Sequence, residues 1–226
     1  MIKSKPIIEY LVTVYGKNIE EINVNEIENL VVSNKDMDSE YCEFYPEDLK
    51  LFPNLKGIVF NTAVLSSEQM EKISELVNIE NINFKDCAFE NDSDLSKITN
   101  LKELSMKKCY VEDYSFLENM PNLQILEIIA PQSEEDIDLE KIKSMPNLNK
   151  IILDLCNIKN IDKLNGKNIE YLSLLMTEIP NNNVEFLNAL PNLKKLYISE
   201  KYNYIIDRND IEIKNDLIDQ TFEKEL

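Results

Sequence analysis

L-K-E-L-S-M-K-K-C-Y-V, residues Leu101–Val111, is followed after a short link by L-Q-I-L-E at Leu123–Glu127. The first stretch has apolar residues at positions 1, 4, 6 and 11 and cysteine at 9, and the pattern restarts 22 residues later. Self-similarity at such a period is the signature of a solenoid, in which each unit buries its apolar side only by stacking on its neighbours. Position 1 falls at Ile27, Leu55, Ile79, Leu101, Leu123, Leu148, Ile169 and Leu193, with spacings of 28, 24, 22, 22, 25, 21 and 24. Clear copies are I-E-N-I-N-F-K-D-C-A-F from Ile79 and L-N-K-I-I-L-D-L-C-N-I from Leu148. The copy from Ile169, I-E-Y-L-S-L-L-M-T-E-I, has Thr177 at position 9. Two copies are degenerate, with Lys35 at position 9 of the first and Pro131 at position 9 of the fifth. Eight units in phase exceed the roughly three needed to enclose a continuous core.

Within each unit, positions 4 and 6 alternate around a polar residue, which is strand periodicity. The second half of a unit carries helical spacing, as in Met70, Ile73, Leu76 and Val77, or ends in a Pro-Asn turn before Leu123, Leu148 and Leu193. Proline stops the turn there and aims the chain into the next strand. The pattern resembles the leucine-rich repeat, L-x-x-L-x-L-x-x-N/C-x-L, over most of the chain. Its short units are similar to those of bacterial internalins and of regulators of eukaryotic phosphatases. The resemblance implies an α/β solenoid, a right-handed superhelix with a concave parallel sheet and short helices or 3₁₀ turns on the convex side. The expected strands are Leu30–Val32, Ile58–Phe60, Ile82–Phe84, Leu104–Met106, Leu126–Ile128, Ile151–Leu153, Leu172–Leu174 and Leu196–Ile198.

Three regions are expected: an N-terminal cap over 1–26, the solenoid over 27–200 and a C-terminal cap over 201–226. The opening M-I-K-S-K-P-I-I-E-Y-L-V-T-V-Y-G is interrupted by Glu9 and lacks a small-residue cleavage site, so it reads as a strand-forming cap rather than a signal peptide. No apolar run reaches membrane-spanning length, and a cytoplasmic protein is expected. The richness in Asn, Lys, Ile and Glu gives the impression of a bacterial or phage source. In the tail, Y-N-Y-I-I-D, R-N-D and I-E-I-K-N read as a hairpin closing the sheet edge, with D-L-I-D-Q-T-F-E-K-E-L as a final amphipathic helix.

Chemistry is sparse. The chain has no histidine, which removes Ser-His-Asp, Cys-His and His-based metal chemistry. Three glycines, Gly16, Gly57 and Gly166, cannot assemble a phosphate-cradling loop. The acidic run S-E-E-D-I-D-L-E at Ser133–Glu140 lacks calcium-loop spacing and reads as a solvated surface. Cys87, Cys109 and Cys156 all fall at position 9, where the resemblance implies a buried residue supporting the turn, while Cys42 has no assigned role. Cys87 and Cys109 are expected in neighbouring coils, about 4.8 Å apart. No enzyme, metal or cofactor is expected.

Charge and face point to a protein partner. Forty-two acidic residues against 24 basic ones give −18, which disfavours nucleic acid and anionic lipid and favours a basic partner. The same acidity can also serve only to keep a surface-rich solenoid soluble. Positions 3, 5 and 7 should face the concave surface, which is small or polar from Asn29 to Lys107 but apolar further on. There, Ile125, Glu127, Ile129, Ile152, Asp154, Tyr171, Leu175 and Tyr197, with Leu155 and Met176 at the rim, form the candidate protein-binding site. Either an outside protein, or a terminal segment or second copy of the chain, would cover this patch. The expected function is a non-catalytic binding module, monomeric or homodimeric. The alternative is an acidic inhibitor, like immunity proteins, antitoxins or anti-CRISPR proteins, that blocks a basic nucleic-acid-processing enzyme.

Overall fold

The computed structural model describes residues 1–34 and 44–215. Lys35, Cys42 and the helix expected over 216–226 lie outside the described residues. Among the described residues nine strands form one parallel sheet: β1 (Asn29–Ser33), β2 (Gly57–Asn61), β4 (Asn81–Lys85), β6 (Glu103–Lys107), β7 (Ile125–Ile129), β9 (Lys150–Asp154), β11 (Tyr171–Leu174), β12 (Lys195–Ile198) and β13 (Glu212–Lys214). Two-residue strands follow several turns and pair with one another: β3 (Val64–Leu65) with β5 (Ala88–Phe89), and β8 (Ile137–Asp138) with β10 (Ile158–Lys159).

The pairing register reproduces the repeat alignment residue by residue. Ile82 pairs with Leu104, Leu104 with Leu126 and Leu126 with Ile151, so position 4 always meets position 4. Positions 4 and 6 of the eight expected strands are at most 2 % exposed, from Leu30 and Val32 to Leu196 and Ile198. Position 1 is buried in all eight units as well. Leu104 and Met106 lie in the core while Ser105 between them is half-buried on the other face. Aromatic side chains stack along the coil axis, with Phe60 and Phe84 5.5 Å apart between centroids and Phe89 edge-on to Phe84. The structure is therefore an α/β solenoid whose core runs between the sheet and the returning segments.

Each strand ends in the same device. The residues at position 8, Thr62, Asp86, Lys108, Ala130, Leu155 and Met176, all have φ between 48° and 55°. This left-handed turn aims the N–H of the first five at the position-7 carbonyl of the next coil, at 2.8–2.9 Å in each case. Position 9 then points inward. The thiols of Cys87, Cys109 and Cys156 and the hydroxyl of Thr177 donate to the position-6 carbonyls of the preceding coil, Phe60, Phe84, Ile128 and Leu153. The Pro-Asn turns have a related role, since Asn54 and Asn122 donate through Nδ2 to Asn25 O and Thr99 O in the coil before.

Among the described residues, the returning side is α-helical only once, at α2 (Ser67–Ser74). There Ser66 and Gln69 form a capping box and no proline intervenes. Elsewhere a short 3₁₀ helix is followed by a Pro-Asn turn into the next strand, as at Ser115–Asn119 and Glu185–Ala189.

The termini differ from expectation. The N-terminal segment is α1 (Lys5–Tyr15), not a strand. Pro6 opens it, Gly16 at φ 61° closes it, and Ile7 and Leu11 bury one helical face against β1. The i, i+4 spacing of those two residues prevailed over the run of β-formers. The hairpin is also overturned. Glu200–Ile205 is a 3₁₀ turn, and β13 pairs in parallel with β12, Leu196 opposite Ile213. The tail thus adds a ninth, shortened coil. Among the described residues no helix is long and apolar enough to cross a membrane.

Candidate protein-binding face

Because positions 4 and 6 are committed to the core, positions 3, 5 and 7 line the opposite face of the sheet. In β4, β6 and β7 this face is partly open, and its residues are half-buried apart from the exposed Lys85. In β9, β11 and β12 the alternation breaks down, because position 5 is buried in all three coils and position 7 in the coils of β9 and β11.

The ten candidate residues therefore separate into three groups. Ile125, Glu127, Ile129 and Tyr171 are half-buried on the sheet face. Leu155 and Met176 stand at the rim, 43 % and 62 % exposed, carried outward by the left-handed turns. Ile152, Leu175 and Tyr197 are buried, at 4 %, 2 % and 1 % exposure, and Asp154 is fully buried. The expectation of a broad exposed apolar patch is corrected for these four. Asp154 also joins two strands, because its Oδ1 accepts from Ser173 Oγ at 2.6 Å and from the Leu175 N–H at 2.8 Å. Those bonds bind β9 to β11 and explain how a carboxylate tolerates this site. Glu127 accepts from Ser105 Oγ at 2.5 Å and pairs with Lys107.

The lysines that interleave with the candidate tyrosines Tyr171 and Tyr197 were not among the candidates. Register places Lys150, Tyr171 and Lys195 side by side at position 3, with Tyr197 and Lys214 together at position 5. The two tyrosine rings lie 5.3 Å apart. Lys150 Nζ sits 4.5 Å from the Tyr171 centroid, Lys195 Nζ 5.3 Å from that of Tyr197, and Lys214 Nζ 6.0 Å from the latter. A hydrogen bond with Tyr197 holds the Lys195 ammonium above its ordinary pKa. Among the described residues, neither Lys150 nor Lys195 has a carboxylate within ion-pair distance, whereas Lys56, Lys102 and Lys194 at position 2 each pair with a glutamate of an adjacent coil. The adjacency of the lysines and tyrosines was visible in the repeat alignment, where they share pattern positions.

Cys87, Cys109 and Cys156 are free thiols buried at position 9. The neighbouring Cys87 and burial push the Cys109 thiol up, and burial followed by the Asp154 carboxylate does the same to Cys156. Held protonated in this way, the Cys109 and Cys156 thiols are weak nucleophiles. Among the described residues no group of three His, Cys, Asp or Glu side chains is placed to hold a metal.

A parallel sheet with one strand per unit, apolar positions 1, 4, 6 and 11, and a hydrogen-bonding side chain at 9 define the leucine-rich-repeat fold. Solved structures agree. Internalin C2 of Listeria monocytogenes matches with a TM-score of 0.58 at 17 % identity, covering 87 % of this chain and 93 % of that one. A second Listeria monocytogenes internalin, inlF, matches with 0.51 at 17 % identity over 87 % of this chain and 51 % of its own. A leucine-rich-repeat protein of Leptospira interrogans matches with 0.55 at 18 % identity over 81 % of this chain and 47 % of its own. No protein-family model matches the sequence, and no curated protein matches it.

Proposed function

We propose that this protein is a non-catalytic binding module that recognises another protein through the C-terminal half of its sheet face. The observation that carries the reading is the rim formed by Leu155 and Met176, two large apolar side chains held out in solvent just past the ends of β9 and β11. Exposed apolar groups bordered by charge are what interface centres are made of. Ile125, Glu127 and Ile129 on β7 extend the contact, and the tyrosines supply aromatic anchors. The protein acts as a monomer in the cytoplasm, and three free thiols in the core suit a reducing compartment.

A second reading keeps the same fold but makes the protein an acidic inhibitor of a basic, nucleic-acid-handling enzyme. It is favoured by the charge of −18, whose field attracts a basic surface and speeds encounter. Capture of the partner at low and at high salt separates the two. The inhibitor reading expects one basic enzyme whose association slows steeply with salt, whereas an adaptor shows weaker salt dependence. In either case Met176→Glu should weaken binding by about 2 kcal/mol, the scale of an interface hot spot, as measured by calorimetry. Unchanged affinity in M176E, with the fold intact, would remove the rim from the site.

A further inference from the structure

Many lysines of this solenoid are matched to carboxylates of the chain itself. Lys56, Lys102 and Lys194 at position 2 pair with glutamates of an adjacent coil, Lys107 pairs with Glu127, and Lys214 with Glu212. Lys150 and Lys195 at position 3 are different. Both are half-buried, and among the described residues neither has a carboxylate within ion-pair distance. Glu212 stands opposite Lys195 in register but reaches Lys214, at 3.4 Å. Asp154 is fully buried, accepting from Ser173 and the Leu175 N–H. What the two ammonium groups share is the ring of Tyr171, on the strand between theirs. Lys150 Nζ is 4.5 Å and Lys195 Nζ 6.0 Å from its centroid. A ring attracts an ammonium without cancelling its charge, so each still gains from a carboxylate brought to it.

The face also has two distinct ends. Position 3 opens the strands, whereas Leu155 and Met176 at position 8 stand exposed just past the ends of β9 and β11. Five residues of parallel strand separate the charged end from the apolar one, roughly 16 Å.

We propose that the partner protein presents to this face a segment bearing two or more carboxylates, which pair with Lys150 and Lys195 over the Tyr171 ring, and apolar side chains that meet the rim. The inference rests on the reading of this face as the binding site and adds the sign of the partner's charge, opposite to the one that the net charge of −18 suggests. Nucleic acid carries the matching sign but fits less well. The excess negative charge repels a polyanion more than a short acidic segment, and Tyr197, 1 % exposed, offers no face to a base.

The test is a selection of random capped peptides of about twelve residues, long enough to span both ends, against the full chain. Bound sequences should be enriched in Asp and Glu together with apolar residues. Lys150→Glu with Lys195→Glu should weaken their binding at least about tenfold, with far-UV circular dichroism unchanged, and high salt should weaken it too. If that pair disturbs the sheet, Lys150→Gln with Lys195→Gln removes the charge at similar size and should act in the same direction. Bound sequences rich in Lys and Arg, without charge bias, or unaffected by either lysine pair overturn the proposal. If those same sequences still weaken in Met176→Glu, the face remains the binding site and only the acidic partner is lost. Binding indifferent to M176E and to both lysine pairs, or no bound sequence at all, removes the face and the proposal together. An oligouridine that binds and is lost in the lysine variants overturns the proposal in favour of nucleic acid. Self-association in sedimentation that those variants abolish overturns it in favour of a second copy.

Discussion

At the scale of single residues, position 9 decides how tightly coils are joined. Thr177 is 1 % exposed; its hydroxyl donates to Leu153 O at 2.6 Å and accepts from the Cys156 N–H at 3.1 Å. Valine matches its shape but can do neither. Thr177→Val should therefore cost about 1–3 kcal/mol, the penalty for stranding buried polar groups, and urea denaturation would show it as a lowered midpoint. A midpoint unchanged by T177V would mean that water replaces the hydroxyl. Position 8 predicts the opposite sign. Leu155 holds φ 55° with 43 % of its surface exposed, a backbone region that costs an L-residue roughly 1–2 kcal/mol. Leu155→Gly should relieve that strain and leave stability equal or higher by up to about 1 kcal/mol, net of the added freedom in the unfolded chain. A clear loss would show that Leu155 packs in a way its exposure does not reveal.

At the scale of elements, the strands are interchangeable in register but differ in what lies on their outer face. The short strand β11 is buried at Leu172, Ser173 and Leu174, enclosed between β9 and β12. Leu172→Ala removes a fully buried side chain from the centre of a coil and should cost about 2–5 kcal/mol, measured by thermal or chemical unfolding. A loss well below 1 kcal/mol would contradict the core position. The returning segments follow local rules: the capping box at Ser66 yields α2, and a Pro-Asn turn follows the 3₁₀ segments Pro46–Leu51, Ser115–Asn119, Leu139–Ser144 and Glu185–Ala189. These rules were partly legible in the chain, as was every strand from β1 to β12 that the repeat places in the large sheet. The N-terminal helix was not, because Ile7, Ile8, Leu11, Val12 and Val14 favour strand locally. Packing against β1 settles the matter, and that contact has no trace in local sequence.

At the scale of the molecule, charge is segregated. Positions 3, 5 and 7 from β9 to β13 hold Lys150, Lys195 and Lys214 against Asp154 and Glu212, so the excess of 18 negative charges resides elsewhere on the surface. Self-repulsion among those carboxylates works against the folded state and is screened by salt. Raising sodium chloride from about 10 mM to about 0.5 M, a change in screening length from roughly 30 Å to a few Å, should therefore raise the Tm in calorimetry. A Tm that falls with salt would show that the inter-coil ion pairs, such as Lys102–Glu80 at 2.7 Å, outweigh the repulsion.

The sequence by itself determined the repeat, its phase, the strand positions and the inward-facing residues, because each is written in a period that every coil restates. Stacking identical units forces position 4 onto position 4, so a local pattern suffices to specify a nonlocal register. Only the tertiary structure decided the parallel ninth coil, the helical N-terminus and the closing of Ile152, Leu175 and Tyr197 on the sheet face. Those depend on what one segment meets when the chain returns to it. A terminal segment has only one neighbouring coil, and a side chain on the outer face is buried or exposed according to what lies over it, which no periodicity encodes.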